Sequence, residues 1–282
     1  MTTYTRPDAR AGAPAAVAPA PPRLTGTRLT LRYGDRTVTR DLDVAIPDGK
    51  VTAIVGPNAC GKSTLLRALS RVLAPTSGVV RLDGTPLGDL GTKEVARRIA
   101  LLPQGAEAPE GITVADLVGR GRFPHQTFFR PWSDADAAAV RRALDAAGVA
   151  DLADRQLDEL SGGQRQRVWI ATVLAQDTPI LLLDEPTTFL DIGHQFEVLE
   201  LCRELNEDHG VTVVAVLHDL QQAARYADHL VVMHDGAVVA EGGPSEVLDA
   251  ALVERVFGLP CRVVPDPVAG TPMVVALGRR TR

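Results

Sequence analysis

The run KVTAIV (50–55) passes without a break into the glycine loop GPNACGKST (56–64) and on into KSTLLRALSRVL (62–73). Leu65, Leu66, Leu69, Val72 and Leu73 recur at helical spacing, which predicts a helix over 62–73 with these side chains on one side. Strand, loop and helix in this order, with Gly56, Gly61, Lys62 and Ser63 at G-x-x-x-x-G-K-S spacing, make a phosphate-binding loop. Such a loop turns several backbone N–H groups inward, and the helix start adds positive dipole. A triphosphate is therefore held by donors that need no side chain. Pro57, Asn58, Ala59, Cys60 and Thr64 complete the loop, Lys62 reaches the β- and γ-phosphates, and the Ser63 hydroxyl is suited to Mg²⁺.

The remaining pattern fits an α/β fold with a mainly parallel sheet. RLTLRY (28–33) and TVTRDLDVAI (37–46) read as paired strands around a Gly-Asp turn. VVRLD, IALLP, PILLLDE, VTVVAVLH and HLVVMHD are further strand-sized runs, with helical stretches such as SDADAAAVRRALDAAGV and GHQFEVLELCRELNEDHG between them. Residues 105–177 hold no convincing strand and read as a helical insertion; RVVPDPVAGTPMVVALG (262–278) reads as short strands around turns. Residues 1–22 are Pro/Ala-rich and are expected to form a disordered tail.

A second piece of chemistry follows in ILLLDEP (180–186). A buried strand delivers Asp184 and Glu185 to the carboxyl edge of the sheet, where nucleotides lie. Asp184 suits Mg²⁺, and Glu185 suits the general base that activates water. A third is LSGGQRQR (160–167), a hydroxyl and two glycines ahead of the helical run QRQRVWIATVLA. That geometry is either a second anion site or a helix cap with no chemistry, and the residues alone leave both open.

The phosphate loop, LSGGQ and LLLDEP in this order resemble the ATP-binding cassette (ABC) ATPases over residues 24 to about 280. The resemblance implies a P-loop NTPase (RecA-like) core, an antiparallel β subdomain and an inserted α-helical subdomain. The core would occupy about 23–104 and 178–260, the insertion about 105–177 and a C-terminal extension about 261–282. It also implies a head-to-tail dimer, in which Ser161, Gly162, Gly163 and Gln164 of one copy donate to the ATP held by the phosphate loop of the other. By the same resemblance Tyr33 stacks on adenine, and Gln104 reaches Mg²⁺ and the water. Asp191 touches the partner cassette, and His218 is the switch histidine on the γ-phosphate. Two departures bear on the loop. Ala59 stands where the family usually has glycine, and Cys60 beside a helix N-terminus is expected to have a lowered thiol pKa and to be reactive.

Composition narrows the class. A net charge of −5 gives no reason to expect a nucleic-acid partner. Three scattered cysteines without a C-x-x-C pair argue for a reduced compartment and against zinc. No apolar run approaches the roughly 20 residues that span a bilayer, and no signal-peptide block opens the chain. The expected location is thus peripheral, on the cytoplasmic face of a membrane. A single cassette without long coiled coils disfavours the DNA- and ribosome-acting ABC proteins. Exporters with a separate cassette remain an alternative.

GITVADLVGRGRFPHQTFFRPW, LDIGHQ and VLHDLQQAARYADHLV are similar to the ATPases of iron-siderophore and cobalamin uptake. That branch implies two membrane permease subunits and, through them, an extracytoplasmic siderophore-binding protein. An enterobactin-like ferric catecholate is the expected cargo, with haem, cobalamin or another iron chelate as alternatives.

Overall fold

The computed structural model describes residues 22–127, 131–188 and 190–278. The expected tail over 1–22 lies outside the described residues except for Pro22.

In chain order the elements are β1 (Leu24–Tyr33), β2 (Arg36–Ile46), β3 (Val51–Val55), α1 (Lys62–Leu69), β4 (Ser77–Leu82), β5 (Thr85–Pro86), α2 (Thr92–Ala96) and β6 (Ile99–Leu102). Then come α3 (Val114–Arg120), α4 (Asp134–Ala146), α5 (Gly162–Ala175), β7 (Ile180–Asp184), α6 (Ile192–His209), β8 (Thr212–Val216) and α7 (Leu220–Tyr226). The chain continues through β9 (His229–His234), β10 (Ala237–Gly242), α8 (Pro244–Val247), α9 (Ala250–Phe257), β11 (Cys261–Pro265) and β12 (Pro272–Ala276).

β1 and β2 form the antiparallel hairpin read from the sequence, running from the Leu24↔Ile46 pair to Tyr33↔Arg36 at the turn. With β4 and β5 they make a four-stranded sheet in the order β2-β1-β4-β5. The six-stranded sheet runs β10-β9-β3-β8-β7-β6, with β9, β3, β8, β7 and β6 parallel and β10 an antiparallel edge. Every residue of β3, β7 and β8 is buried, which is why these strands read as unbroken apolar runs.

Their side chains alternate between two cores. Ile54, Leu182, Val214 and Val216 join α1 and the antiparallel sheet through Leu65, Leu69 and Leu29. Val55, Leu183, Val213 and Ala215 pack with the helices on the other face. The parallel strands all end at one edge of the sheet, so Gly56, Gln104, Asp184, Glu185 and His218 emerge there or within two residues of it.

α3, α4 and α5 pack together, and an isolated bridge pairs Thr113 with Gln156. A buried ion pair fastens this region: Arg122 Nε donates to Asp136 at 2.9 Å, and its Nη1 donates to the Ala175 carbonyl at the end of α5 at 2.7 Å. Ser133 and Asp136 close a capping box at the start of α4. The β11–β12 hairpin packs against α7, where Gln221 donates to the Val274 carbonyl at 3.3 Å.

Two expectations about element ends are corrected. The helix predicted over 62–73 stops at Leu69. Arg71 takes the left-handed conformation (φ 65°) and donates to the Leu90 carbonyl, so the chain turns away and leaves Val72 66% exposed instead of on the buried side. His218 does not close a strand either. β8 ends at Val216, and His218 sits in the loop that leads to α7.

Candidate functional site

The phosphate loop leaves β3 at Gly56, where a Cβ would lie 2.1 Å from the Met233 carbonyl oxygen, so no other residue fits. α1 begins after Gly61 (φ 108°) with no side chain capping its first turn, which leaves those amides to whatever anion the loop receives. Lys62 is buried and folds back over its own loop, its Nζ donating to the carbonyls of Gly56 (2.9 Å) and Pro57 (2.8 Å). Asn58 and Ala59 are exposed at the tip, Ser63 is half-buried and Thr64 is buried.

Ala59 has φ 61°, the left-handed region that glycine occupies freely and that costs an alanine roughly 1–2 kcal/mol. Cys60 corrects an expectation. Its side chain is buried against the loop, and burial pushes the thiol pKa up, overriding the Lys62 charge and the helix-end amides. A reactive thiolate is therefore not what this position provides. Tyr33, the last residue of β1, is 44% exposed and its hydroxyl accepts from Arg67 of α1 at 3.1 Å, so its ring is not a core aromatic.

Two sequence-distant candidates, Gln104 and His218, meet at Glu185. Its carboxylate accepts from Gln104 Nε2 (2.8 Å) and Thr188 Oγ1 (3.1 Å), and its other oxygen lies 2.8 Å from His218 Nε2. Glu185 itself sits at φ 56°, a strained conformation that turns the chain sharply out of β7.

One residue earlier, Asp184 is buried, and among the described residues neither carboxylate oxygen has a hydrogen-bond partner. Burial pushes its pKa up, partly offset by the nearby Ser63 hydroxyl and Arg67 guanidinium. A buried carboxylate without a partner is costly unless a cation completes it. With Ser63 and Gln104 it supplies the hard oxygen donors that suit Mg²⁺. Among the described residues no cluster of three or more His, Cys, Asp or Glu side chains offers a different metal site. Thr188 and Arg67 were not among the sequence candidates, because nothing local in the chain marks them.

At the third motif Ser161 caps α5. Its hydroxyl accepts from the Gln164 amide (3.3 Å), and Gln164 Oε1 accepts from the Ser161 amide (3.1 Å). Of the two readings left open, the helix cap is thus realised within the chain. The two glycines differ. A Cβ at Gly163 would stand 2.7 Å from the His194 ring, whereas at Gly162 it would meet nothing within 4 Å. Among the described residues no contact requires Gly162 to be glycine. It lines a cavity of about 320 Å³ together with Gln104, Asp184, Glu185 and Trp169, to which no residue of the phosphate loop contributes.

Asp191 caps α6, with Oδ1 accepting from the His194 amide (3.0 Å) and from His194 Nδ1 (2.7 Å); these bonds hold its carboxyl below the usual range. Beside it Ile192 is 73% exposed. The structure therefore brings Gln104, Glu185 and His218 into contact. It keeps Lys62 in its own loop, and it leaves the Ser161 and Asp191 turns exposed with their own helices capped.

A family model described as "ABC transporter" matches residues 39–188. The chain is 58% identical to the ferric enterobactin transport ATP-binding protein of Escherichia coli, over 91% of this chain and 95% of that protein. It is 53% identical to the achromobactin transport ATP-binding protein of Dickeya dadantii, with the same coverage. Among solved structures, a dimeric bacterial ABC transporter cassette superposes with a TM-score of 0.69 at 29% identity, covering 78% of this chain and 98% of that one.

Proposed function

The chain belongs to the ABC transporter family, as an ATP-binding subunit of the siderophore-importer branch, and on that premise we propose that its ATP hydrolysis drives uptake of a ferric siderophore of the enterobactin-like catecholate type. The observation that carries the catalytic half is the convergence of Gln104, Thr188 and His218 on Glu185, next to the unpaired Asp184. The cargo half rests on the relatives, because an ATPase subunit makes no contact with what its transporter carries.

In this reading the amides of Gly56–Thr64 and the Lys62 ammonium hold the β- and γ-phosphates, and the exposed Tyr33 ring faces adenine. Phosphates entering the loop compete with the Gly56 and Pro57 carbonyls for Lys62. Ser63, Asp184 and Gln104 hold Mg²⁺, which neutralises charge on the phosphates. Glu185 takes the proton of the attacking water, while Gln104 and His218 fix its carboxylate in place.

Ser161, Gly162, Gly163, Gln164 and Asp191 serve a second copy. Support comes from Gly162, where a side chain would meet nothing among the described residues, from Ile192 exposed beside Asp191, and from the dimeric state of a structural relative. Among the described residues no helix is long and apolar enough to cross a membrane. By its likeness to the siderophore import ATPases, the subunit acts as a peripheral partner of two membrane permeases on the cytoplasmic face, and serves an extracytoplasmic siderophore-binding protein through them.

The test is radio-iron uptake from ferric enterobactin-type chelates, in cells lacking this chain and restored with wild type or Glu185→Gln. Rescue by wild type alone is expected, with purified Glu185→Gln accumulating as an ATP-bound dimer. Normal uptake in the unrestored cells removes the iron assignment, and cobalamin, haem and hydroxamate chelates then take its place in the assay.

A further inference from the structure

His194 lies within LDIGHQ, but the resemblance gives it no role of its own. Its Nδ1 lies 2.7 Å from Asp191 Oδ1, and since an ionised carboxylate can only accept, the ring nitrogen is the donor. Its ring lies over Gly163, with Cδ2, Cγ and Nε2 at 2.7, 2.9 and 3.0 Å from where a Cβ would be. Such similar distances lay the face of the imidazole, rather than an edge, on the Gly163 backbone. One side chain thus touches both turns that the proposed function directs at the partner copy.

The contact is not isolated. Gln166 Nε2, one turn along α5, donates to the Pro186 carbonyl at 2.9 Å, and Arg167 pairs with Glu197, one turn along α6. The segment before Asp191 is tied as well. Gln195 donates to the Leu190 carbonyl at 3.0 Å and itself accepts from Gln222 of α7 at 2.7 Å. The first turns of α5 and α6 are joined side by side, and His194 is the joint nearest their exposed ends.

We propose that His194 is a positioning residue that fastens the Asp191 turn to the Ser161–Gln164 loop, so that one chain presents both to its partner as a single rigid surface. The inference rests on the across-dimer reading given above. If the two turns moved separately, each would have to be ordered at closure; joined in advance, they are placed by one docking event. Loss of the bridge therefore lowers the turnover rate of the assembled dimer, while ATP affinity, set by the phosphate loop of the same chain, stays as it was.

The experiment measures phosphate release against MgATP concentration for the full chain as wild type, His194→Ala, His194→Asn and His194→Phe. A fluorescent ATP analogue reports nucleotide affinity in parallel. Asparagine keeps a donor for Asp191 without the ring, and phenylalanine keeps the ring over Gly163 without the donor. His194→Ala is expected to lower kcat about tenfold, equivalent to about 1.4 kcal/mol. The two half-replacements should lower it about threefold each, and all three variants should bind nucleotide within about twofold of wild type.

A kcat for His194→Ala within twofold of wild type overturns the proposal, and so does a loss seen only in nucleotide affinity. Full activity of His194→Phe overturns it too, because the Asp191 bond is then idle. Ser161→Ala run alongside separates the layers. If it also turns over normally, the across-dimer reading has failed; if it is impaired while His194→Ala is normal, the bridge alone has.

Discussion

Two glycine-containing turns open helices in this chain, and they treat their first helical turn in opposite ways. At α1 no described side chain caps the helix, Gly61 is left-handed, and the Lys62 ammonium is drawn over the loop. At α5 the chain closes its own cap, with Ser161 and Gln164 satisfying each other's amides. The first turn is built around donors left available, and so is committed to an anion. The second is complete without one, and because the Ser161 hydroxyl only accepts in the cap, its own proton stays available for a partner's nucleotide without any bond in the chain being given up.

Removing Lys62 tests the first half of this contrast and has the largest expected effect. Lys62→Ala takes away the ammonium that folds over the loop, and we expect turnover to fall by about 100-fold or more with weakened ATP affinity, read by phosphate release and nucleotide titration. Gly162→Ala sharpens the second half. A methyl group there meets nothing within 4 Å, and alanine is the better helix former by about 0.5–1 kcal/mol, so chemical denaturation should show a chain at least as stable. Turnover should nevertheless fall several-fold, because the methyl stands where the partner's nucleotide docks. Unimpaired turnover would return α5 to a simple capped helix. The smallest effect concerns Ala59. Replacing it with glycine relieves a left-handed alanine but adds unfolded-chain entropy, so a net gain on the order of 0.5 kcal/mol and a thermal midpoint higher by about 1–2 °C are expected.

What could be read from the chain beforehand follows the reach of each interaction. The parallel strands were legible because burial on both faces leaves continuous apolar runs, and the phosphate loop because its chemistry fits within nine consecutive residues. The length of α1 was misread because apolar spacing continues through Val72 and Leu73, while the left-handed turn at Arg71 carries no glycine to announce it. Cys60 was misread because a helix N-terminus lowers a thiol pKa only where solvent or charge dominates, and here desolvation does. Arg67 was not legible, and neither was the role of His194 inside LDIGHQ, because each acts through a partner that only the fold supplies: Tyr33 for Arg67 and Gly163 for His194. Thr188 reaches Glu185 three residues away, but nothing in the local sequence marks that bond.

The strand order has a consequence for how the protein is made. β3 lies between β8 and β9, so the strand that carries the phosphate loop gains its neighbours only from Thr212–Val216 and His229–His234. A ribosome that has finished Thr64 has produced the whole loop sequence, yet the sheet that gives it a shape is still untranslated. At ordinary elongation speeds that interval is roughly ten to thirty seconds. During it the nascent chain holds the apolar runs of β3 and β6 without their native partners, and ATP cannot assist because its pocket does not yet exist. Competence to bind nucleotide is thus acquired late, which makes the second half of the message the part whose translation decides when the phosphate loop of the first half takes its shape.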